Sequence, residues 1–536
     1  MQFHIFKTGE RNMNKIEVLD VTLRDGGYCN NWTFGVANII NIQNSLMESG
    51  IEYIECGYLS SSAMNQEGRT IFQAITDLEK LVLLNKNTET KYVAMINYGE
   101  VAIEQIPDYP GYGIVGIRVA FRKKHWENAL DFCYKIKQKG YLLFIQPMAI
   151  LSYSDSEYAC LIDKVQEIQP YAFYIVDSFG SMRKNDLIRL FQKADKTLDK
   201  EIVLGFHAHN NMQMAFSNAQ WFALESSLHN KIIDTSIMGM GRGAGNLNTE
   251  LFLIYMNENL KGKYNLKPIL YIIDAVLNNF YLVKRWGYSL PNYLSAKHNV
   301  HPKYAGYLCE KNTLSVDDMD EIFSSIPLEK KEEFDKQCID NLYLKFMEKG
   351  HHTSERLEQL KGQLTGKTVL LIAPGTSSVT QREKVISEAD KDNTIVVSIN
   401  HKYAFCKTDY VFCSNKKRYS ELNLDNNDTV IVTSNIPEED YYLQIEYGKL
   451  INDEDFVNDN AGLMAVKFFL LLDVKRILLA GYDGFHHNIY QNYADENMVL
   501  CIPENMAEWI NQGMRNVLKK YMKESEIVYL TESCIF

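Results

Sequence analysis

Short apolar segments rich in Val, Ile, Phe and Tyr alternate with longer amphipathic segments from Ile16 to about Gly241. Eight of the apolar segments predict strands: IEVLDVTL, IEYIECGY, KYVAMIN, GIVGIRVAF, YLLFIQPM, AFYIVDSF, IVLGFHAH and IIDTSIMGM. The segments between them, such as ANIINIQNSLMESG, place apolar residues at helical spacing and end in glycine, as helices often do. Eight strand–helix units in this length predict a (β/α)8 TIM barrel, in which helices connect parallel strands.

A doubly wound open sheet is the competing fold for such an alternation. The barrel is preferred because polar candidate residues lie at or just after the carboxyl ends of predicted strands, which share one face of a barrel. These candidates are Arg24, Asp25, Arg118, Asp177, Ser178, His207, His209 and Asn246.

The chain divides into three predicted regions. Residues 14–300 form the barrel domain, whose helical segments after residue 250 cover or extend the barrel. Residues 301–365 are charged and helical in pattern, and we expect a helical connector there. Residues 366–536 begin a new α/β pattern at GKTVLLIAPGTSS and predict a smaller Rossmann-like domain. Its further predicted strands are NTIVVSIN, TDYVFCS, DTVIVTS, RILLAGYD and EIVYL.

Composition excludes several functional classes. A chain of 536 residues exceeds the length that one hydrophobic core usually supports, so two or more domains are expected. Its net charge of −12 gives no general attraction to nucleic acid or anionic membranes. No apolar run approaches the roughly 20 residues that span a bilayer, and the N-terminus lacks the apolar core of a secretory signal. The ten cysteines are scattered singly. We therefore expect a cytoplasmic protein with reduced thiols, and a homodimer on general grounds for such barrels.

A candidate metal site follows from His207 and His209, because residues i and i+2 of a strand point to the same face. Asp25 in TLRDGG adds a carboxylate, and Asn246 in GMGRGAGN adds a carbonyl oxygen. This mixed set leaves two octahedral positions for a bidentate 2-oxo acid and suits Mn²⁺, Mg²⁺ or Co²⁺ better than a structural zinc, with Mn²⁺ favoured. Taken separately, the motifs also fit hydrogen-bonded histidines, a salt bridge and a tight glycine turn.

Four motifs, DVTLRDGG, DSFG, HAHNN and GMGRGAGNLNTE, resemble in their order the DRE-TIM metallolyase superfamily over residues 16–300. Its members include 4-hydroxy-2-oxovalerate aldolase, hydroxymethylglutaryl-CoA lyase and isopropylmalate synthase. The short GAGN turn and the lack of an evident acyl-CoA-binding feature are most similar to the aldolase branch. The resemblance implies a divalent-metal-dependent aldolase that makes or cleaves a 4-hydroxy-2-oxo acid through a metal-bound pyruvate enolate.

The resemblance also implies roles for individual residues. Asp25, His207 and His209 would be metal ligands, Asn246 a further ligand, and Arg24 the arginine that stabilises the enolate.

Three other positions complete the predicted site. Ser178 stands where aldolase relatives contact the pyruvate carboxylate, or else it caps the following helix. Arg118 binds an acidic group on the aldehyde, or else it forms a structural ion pair. Family aldolases have a proton-transfer histidine shortly after the Arg–Asp pair, whereas RDGGYCNN offers Tyr28, which can donate or relay a proton.

The second domain carries two motifs. LLIAPGTSS predicts a nucleotide-type loop in which Ser377 or Ser378 faces an anion, or a Rossmann-like turn without a ligand. Together with NDNAGLMAVKFFLLLDVKRILLAGYDGF, it is similar in order to bacterial sialyltransferase-like domains, which implies a nucleotide sugar ligand. Asp483 either binds a metal or sugar or caps the next loop. A nucleotide sugar would place the protein in surface-polysaccharide sugar biosynthesis.

Two rival functions stay open at this point. One is a Claisen-type synthase of the same superfamily that uses an acyl-CoA. The other is an inactive barrel that serves as a scaffold for a C-terminal glycosyltransferase-like domain.

Overall fold

The computed structural model describes residues 14–536 except 65, 83–88, 312–313, 349–353, 426, 437–440, 487, 489–490, 496–497 and 499–503. The chain forms two compact units. One contains the residues up to Gly306 together with Lys331–Phe334, and the other contains Tyr307–Lys330 and Asp335–Phe536. The segment 301–365, predicted as a connector, is thus divided between the units, and most of it lies in the second.

All eight strands predicted for the first unit are present and parallel. They are β1 (Ile16–Asp20), β2 (Tyr53–Leu59), β3 (Lys91–Asn97), β4 (Ile114–Phe121), β5 (Leu142–Pro147), β6 (Ala172–Asp177), β7 (Val203–Ala208) and β8 (Lys231–Thr235). Strand β1 pairs with both β2 and β8, so the sheet closes on itself. A two-residue strand, Ile71–Phe72, pairs beside β2. The closed barrel confirms the predicted fold and excludes the open sheet.

Helices surround these strands and continue beyond them. They are α1 (Gly27–Asn30), α2 (Val36–Glu48), α3 (Ile75–Glu79), α4 (Trp126–Gln138), α5 (Asp155–Ile168), α6 (Lys184–Thr197), α7 (Ala215–Leu224), α8 (Thr249–Asn259), α9 (Lys267–Ile272), α10 (Asn278–Val283), α11 (Leu290–Lys297) and α12 (Lys303–Cys309). A π-helical turn, Ile273–Leu277, joins α9 to α10. In α5, Ser154 accepts a hydrogen bond from the Glu157 N–H while Glu157 accepts one from the Ser154 N–H, which fixes the start of the helix.

Strand alternation separates the two faces of the barrel wall. On β1, Val18 packs in the cluster shared with the outer helices, whereas Leu19 packs with Tyr53, Phe144 and Tyr174 inside the barrel. The same alternation places charged residues inside, because their neighbours along each strand pack outward. These inward residues are Glu55 on β2, Arg118 on β4, His207 on β7 and Asp234 on β8.

The second unit contains a seven-stranded parallel sheet. Its strands are β9 (Thr368–Ile372), β10 (Thr394–Ile399), β11 (Tyr410–Cys413), β12 (Val430–Thr433), β13 (Leu443–Ile445), β14 (Arg476–Ala480) and β15 (Glu526–Tyr529), in the order β13-β12-β11-β10-β9-β14-β15. The parallel sheet confirms the predicted smaller α/β domain. Strand β13 was absent from the prediction, since three residues are too short to show an alternating pattern.

The helices of the second unit lie before its first strand and between successive strands of the sheet. They are α13 (Val316–Ser324), α14 (Lys336–Met347), α15 (Ser354–Leu364), α16 (Ser377–Thr380), α17 (Arg382–Ala389), α18 (Lys416–Glu421), α19 (Tyr447–Leu450), α20 (Ala461–Leu471) and α21 (Glu504–Tyr521). Across the described ranges of both units, no helix combines the length and the apolar content needed to pass through a bilayer.

Candidate metal centre

Asp25, His207 and His209 converge at the carboxyl end of the barrel, and all three are buried. Asp25 lies in the tight turn after β1, where its N–H donates to the carbonyl of Val21 at 2.8 Å. His207 lies within β7, and His209 follows that strand on the same face. The Nε2 atoms of His207 and His209 lie 3.7 and 3.6 Å from Oδ2 of Asp25.

The donor atoms of these three residues fit one divalent cation. Their ligand atoms all lie within 4.8 Å of one another, a spacing compatible with bonds of about 2.0–2.2 Å to a shared first-row ion. Within the described part of the chain, neither carboxylate oxygen of Asp25 has a hydrogen-bond partner, although both are buried. A buried carboxylate without hydrogen bonds is costly, so the arrangement calls for a cation.

Asn246 completes the predicted donor set. Its Nδ2 donates to the carbonyl of Met240 at 3.1 Å, which fixes the amide orientation and leaves the buried Oδ1 without a partner among the described residues. Gly241 makes room for this amide, because a Cβ atom at that position would lie 2.2 Å from Asn246 Nδ2. The main chain of His209 also bridges to that of Asn246. The structure thus brings all four predicted ligands to one place.

Nearby charges and burial lower the pKa values of Asp25 and His209, respectively, which favours binding of a cation. Burial raises the pKa of Asp25, but the nearby charges of Arg24, the two histidines and Arg242 outweigh it and hold the pKa well below its usual range. Burial lowers the pKa of His209 to about 3, so its imidazole is neutral and keeps a lone pair for a ligand bond.

A chain of buried ion pairs in the barrel interior supports the candidate metal ligands. Asp234 lies 2.9 Å from Nδ1 of His207 and is also paired with Arg118. Arg118 Nη1 lies 2.9 Å from Glu55, and Glu55 in turn accepts a hydrogen bond from Arg24 Nε at 2.6 Å. The chain therefore connects the metal ligand His207 to the candidate enolate-stabilising arginine.

Arg24 has the position that its predicted role requires. Its guanidinium lies 3.3 Å from Asp25 through Nη1, and its buried Nη2 has no partner among the described residues. Glu55 fixes the other edge of the guanidinium. A donor is therefore left beside the proposed ligands.

Arg118 lies inside strand β4 rather than at its carboxyl end, contrary to the prediction, and is fully buried. Both of its acidic partners belong to the barrel interior. This arrangement corresponds to the structural ion pair, the alternative to contact with an aldehyde. Arg118 is therefore not proposed to contact the substrate.

Ser178 and its neighbour Asp177 hold loops at the same face. The Ser178 hydroxyl accepts a hydrogen bond from the N–H of Ala149 at 2.8 Å, so it caps the loop after β5 instead of the helix that follows it. Asp177 accepts from the N–H groups of Ser181 and Met182 at 2.9 and 3.1 Å.

Tyr28 lies in α1, next to the Arg24–Asp25 pair along the chain. Its ring packs edge-on against Trp32, with centroids 4.7 Å apart, and Arg242 lies over it at 5.6 Å. Arg242 also donates to the carbonyl of Ser178 at 2.9 Å and lies 3.3 Å from Nε2 of His301. Arg242 and His301 thus line the region between Tyr28 and Ser178.

Sequence reasoning missed four residues of this region: Glu55, Asp234, Arg242 and His301. A signal existed for Glu55 and Asp234, because each is a carboxylate inside a predicted strand and directly follows an isoleucine. Arg242 stands in the GRGAGN motif but was given no role. His301 lies outside the four sequence motifs, and its position depends on the chain returning to the barrel face after α11.

The second unit places its predicted residues differently. The carboxylate of Asp483 accepts hydrogen bonds from the Ser377 N–H at 2.7 Å, from the Ser377 hydroxyl and from the Thr376 hydroxyl at 3.0 Å. Ser378 donates to the carbonyl of Gly375 at 2.7 Å. Asp483 thus occupies the place expected for an external anion, and it caps the loop after β9 rather than the loop that follows Asp483 itself. Nucleotide-sugar binding stays a prediction.

Comparison with known proteins shows which family and which proteins the barrel is similar to. Residues 15–276 match the HMGL-like family model. The chain is 26% identical over 285 residues to 4-hydroxy-2-oxovalerate aldolase from Geobacillus genomosp. 3, covering 50% of this chain and 80% of that protein. It is 26% identical over 235 residues to oxaloacetate decarboxylase from Mycobacterium tuberculosis, covering 44% of this chain and 67% of that protein. The N-terminal domain of a candidate aldolase from Bacteroides vulgatus superposes with a TM-score of 0.49 at 26% identity, covering 56% of this chain and 98% of that one.

The closed barrel and its Asp–His–His cluster define the class of the first unit as a TIM barrel with a candidate divalent-metal centre. With the family match, the barrel is assigned more narrowly. The match and these relatives support the DRE-TIM metallolyase superfamily, which the sequence motifs predict, and a metal-dependent lyase or aldolase domain.

Proposed function

We propose that the barrel makes or cleaves a carbon–carbon bond in a 4-hydroxy-2-oxo acid, with a divalent cation held by Asp25, His207, His209 and Asn246. The observation that carries this proposal is the buried Asp25 carboxylate, which lies beside two imidazole Nε2 atoms and has no hydrogen-bond partner among the described residues. The name of the Geobacillus relative supports the substrate class.

A bound cation supplies positive charge that stabilises the enolate of a 2-oxo acid. Manganese is the metal proposed, because nitrogen and oxygen ligands of this kind suit Mn²⁺, with Mg²⁺ and Co²⁺ as alternatives.

The protein groups then have distinct tasks. Arg24 directs its unpaired Nη2 donor to the developing oxyanion. Tyr28 is the proposed proton-transfer residue: cleavage removes the proton of the 4-hydroxyl, breaks the C3–C4 bond and leaves the electron pair on C3, which a proton then converts to the methyl group of pyruvate. Ser178 is proposed to contact the substrate carboxylate.

Oxaloacetate decarboxylation is a second candidate, favoured by the relative from Mycobacterium tuberculosis. Loss of CO₂ from oxaloacetate leaves the same enolate as loss of an aldehyde from a 4-hydroxy-2-oxo acid. The two reactions therefore use the same ligands and arginine and differ in the leaving group.

The test is pyruvate formation by the full chain after chelation, with and without added Mn²⁺, Mg²⁺ or Co²⁺. Candidate substrates are a series of 4-hydroxy-2-oxo acids and oxaloacetate. Asp25→Asn should abolish turnover, whereas Asp163→Asn on the exposed side of α5 should retain it. Turnover without metal, or full activity in Asp25→Asn, would refute the mechanism.

The rival functions have their own readouts in the same preparation. Release of free thiol from an acyl-CoA in the presence of a 2-oxo acid would favour the Claisen-type synthase. A protein that retains no divalent metal by elemental analysis and cleaves none of the substrates would favour the scaffold.

A further inference from the structure

A cavity of about 200 Å³ opens at the carboxyl edge of the second sheet. Residues following β9, β10, β11 and β14 contribute to its walls. Strand β10 pairs with one edge of β9, and strand β14 pairs with its other edge. The cavity therefore lies at the point where the strand order reverses, the usual place for ligands in open α/β sheets.

One wall of the cavity is already closed by the protein itself. The carboxylate of Asp483 accepts hydrogen bonds from the N–H and the hydroxyl of Ser377, at the start of the four-residue helix α16. Gly375 lies against this contact, since a Cβ atom there would be 2.7 Å from Cγ of Asp483. A ligand must therefore use the other walls.

On the other walls of the cavity, three asparagines each accept a main-chain N–H with the side-chain oxygen. Asn400 Oδ1 accepts from the N–H of Ser414 at 3.3 Å, Asn415 Oδ1 accepts from the N–H of Arg418 at 3.2 Å, and Asn460 Oδ1 accepts from the N–H of Leu463 at 3.1 Å. These bonds fix the amide orientation. Among the described residues no acceptor is bonded to any of the three Nδ2 groups, so each is left as a donor at the cavity.

Helix α20 adds main-chain donors to the same wall. It is eleven residues long, and its first residues, Ala461 and Gly462, line the cavity. The first N–H groups of a helix have no partner within it, and among the described residues a side chain caps only the N–H of Leu463, through Asn460.

Lys311 supplies a charge that points to the ligand independently of these amides. The side chain lines the cavity and the residue is only 7% exposed. Its Nζ lies 4.9 and 5.0 Å from the ring centroids of Tyr307 and Tyr343, and no carboxylate of the described chain forms an ion pair with it. A buried ammonium group without a counter-ion is costly, so an anion at this place would be stabilising.

Other charged groups at the cavity already have protein partners. Arg418 Nη1 pairs with Glu421 at 2.9 Å and its Nη2 donates to the carbonyl of Met498 at 3.0 Å. Asp459 accepts a hydrogen bond from the Tyr343 hydroxyl at 3.3 Å. The groups without partners are therefore mostly donors.

We infer that this cavity binds a phosphate-bearing small molecule, with the phosphate between Lys311, the asparagine amides and the start of α20. A phosphate offers several acceptor oxygens and negative charge, which match a wall of N–H donors and a lone ammonium group. The inference concerns the second unit alone and does not depend on the reaction proposed for the barrel.

The experiment is isothermal titration calorimetry on the full chain with four probes: inorganic phosphate, pyrophosphate, a sugar 1-phosphate and a nucleoside diphosphate. Asn460→Asp is the sharpest variant, because an aspartate retains the oxygen that caps α20 but replaces the Nδ2 donor with a negative charge. Lys311→Met removes the ammonium group while retaining an unbranched side chain. Asn393→Asp, exposed and outside the cavity, adds the same charge elsewhere.

We expect at least one probe to bind, and its Kd to rise at least tenfold in both Asn460→Asp and Lys311→Met while Asn393→Asp leaves it unchanged. Binding of all phosphate probes would assign the site to phosphate itself, and binding of the diphosphate or sugar phosphate alone would assign it to the larger molecule. No binding of any probe by the wild type, or equal binding by folded Asn460→Asp, would overturn the inference. Thermal unfolding of each variant checks that the domain is folded.

Discussion

Nδ1 of His207, a candidate metal ligand, lies 2.9 Å from Oδ2 of Asp234 in the interior of the barrel. Since a carboxylate only accepts hydrogen bonds, this contact places the proton on Nδ1 and leaves the lone pair on Nε2, the atom that faces Asp25. The pair therefore fixes both the tautomer and the direction of the ligand. Arg118, paired with the same carboxylate, keeps Asp234 charged by lowering its pKa against the effect of burial.

Replacing Asp234 by asparagine should weaken metal binding without removing a ligand. Support of this kind is worth about 10- to 100-fold in metal affinity. We expect a loss of that size in a Mn²⁺ titration followed by electron paramagnetic resonance, with Asp163→Asn as the matched control. Unchanged affinity in folded Asp234→Asn would show that the contact does not orient the ligand.

Glu55→Gln should destabilise the barrel. Glu55 is the common partner of Arg24 and Arg118, and the substitution leaves two buried guanidinium groups short of a negative charge. Removing one partner of a buried ion pair typically costs about 3–5 kcal/mol in the free energy of unfolding. Urea denaturation should show this loss, whereas Glu127→Gln, exposed on α4, should change stability by about 0.5 kcal/mol or less. Equal stabilities would refute the ion-pair network.

The prediction from sequence succeeded where short-range regularity carries the information. Strand alternation defined the eight barrel strands, and the spacing of His207 and His209 placed both imidazoles on one face, as the structure shows. The same rule applied to Glu55 and Asp234 would have placed them inside the barrel, since each follows an isoleucine that alternation assigns to the outer face. Arg118 was misplaced because it was grouped with the residues at strand ends, although the predicted strand GIVGIRVAF, like β4, continues past it to Phe121.

The remaining contacts depend on which distant segments meet. Asp483 and Ser377 are far apart in the sequence, and no local pattern indicates that the carboxylate caps the loop after β9. His301 reaches Arg242 only because the chain returns to the barrel after α11. Such pairings are set by tertiary structure, and composition and periodicity carry no signal for them.

Tyr28→Phe tests the proposed proton transfer. The substitution removes only the hydroxyl and retains the ring that packs on Trp32 and lies beneath Arg242. We expect kcat for pyruvate formation to fall about 10²- to 10⁴-fold, the usual contribution of a general acid or base, with metal affinity unchanged. Tyr134→Phe, exposed on α4, is the matched control. If kcat is retained in Tyr28→Phe while Asp25→Asn is inactive, the proton is carried by another group and the metal mechanism stands.

Asp20 makes the stability of the barrel depend on pH. It is buried at the end of β1, where its oxygens accept hydrogen bonds from the Thr22 N–H and the Thr249 hydroxyl, each at 2.8 Å. Burial raises its pKa from 3.8 to about 7, against these hydrogen bonds.

Between these two pH values the folded chain retains a proton on Asp20 that the unfolded chain has released. The stabilisation from this proton is therefore complete below about pH 4 and is lost as the pH rises through 7, by about 4 kcal/mol at about 1.4 kcal/mol per pKa unit.

Asp20→Asn should remove this part of the pH dependence, because the amide retains an oxygen for the Thr22 N–H and does not ionise. Denaturation from pH 4 to pH 8 should show the stability of Asp20→Asn rising relative to wild type as the pH increases. Asp163→Asn should instead run parallel to wild type. Parallel curves for Asp20→Asn would mean that Asp20 is already ionised in the folded protein throughout this range.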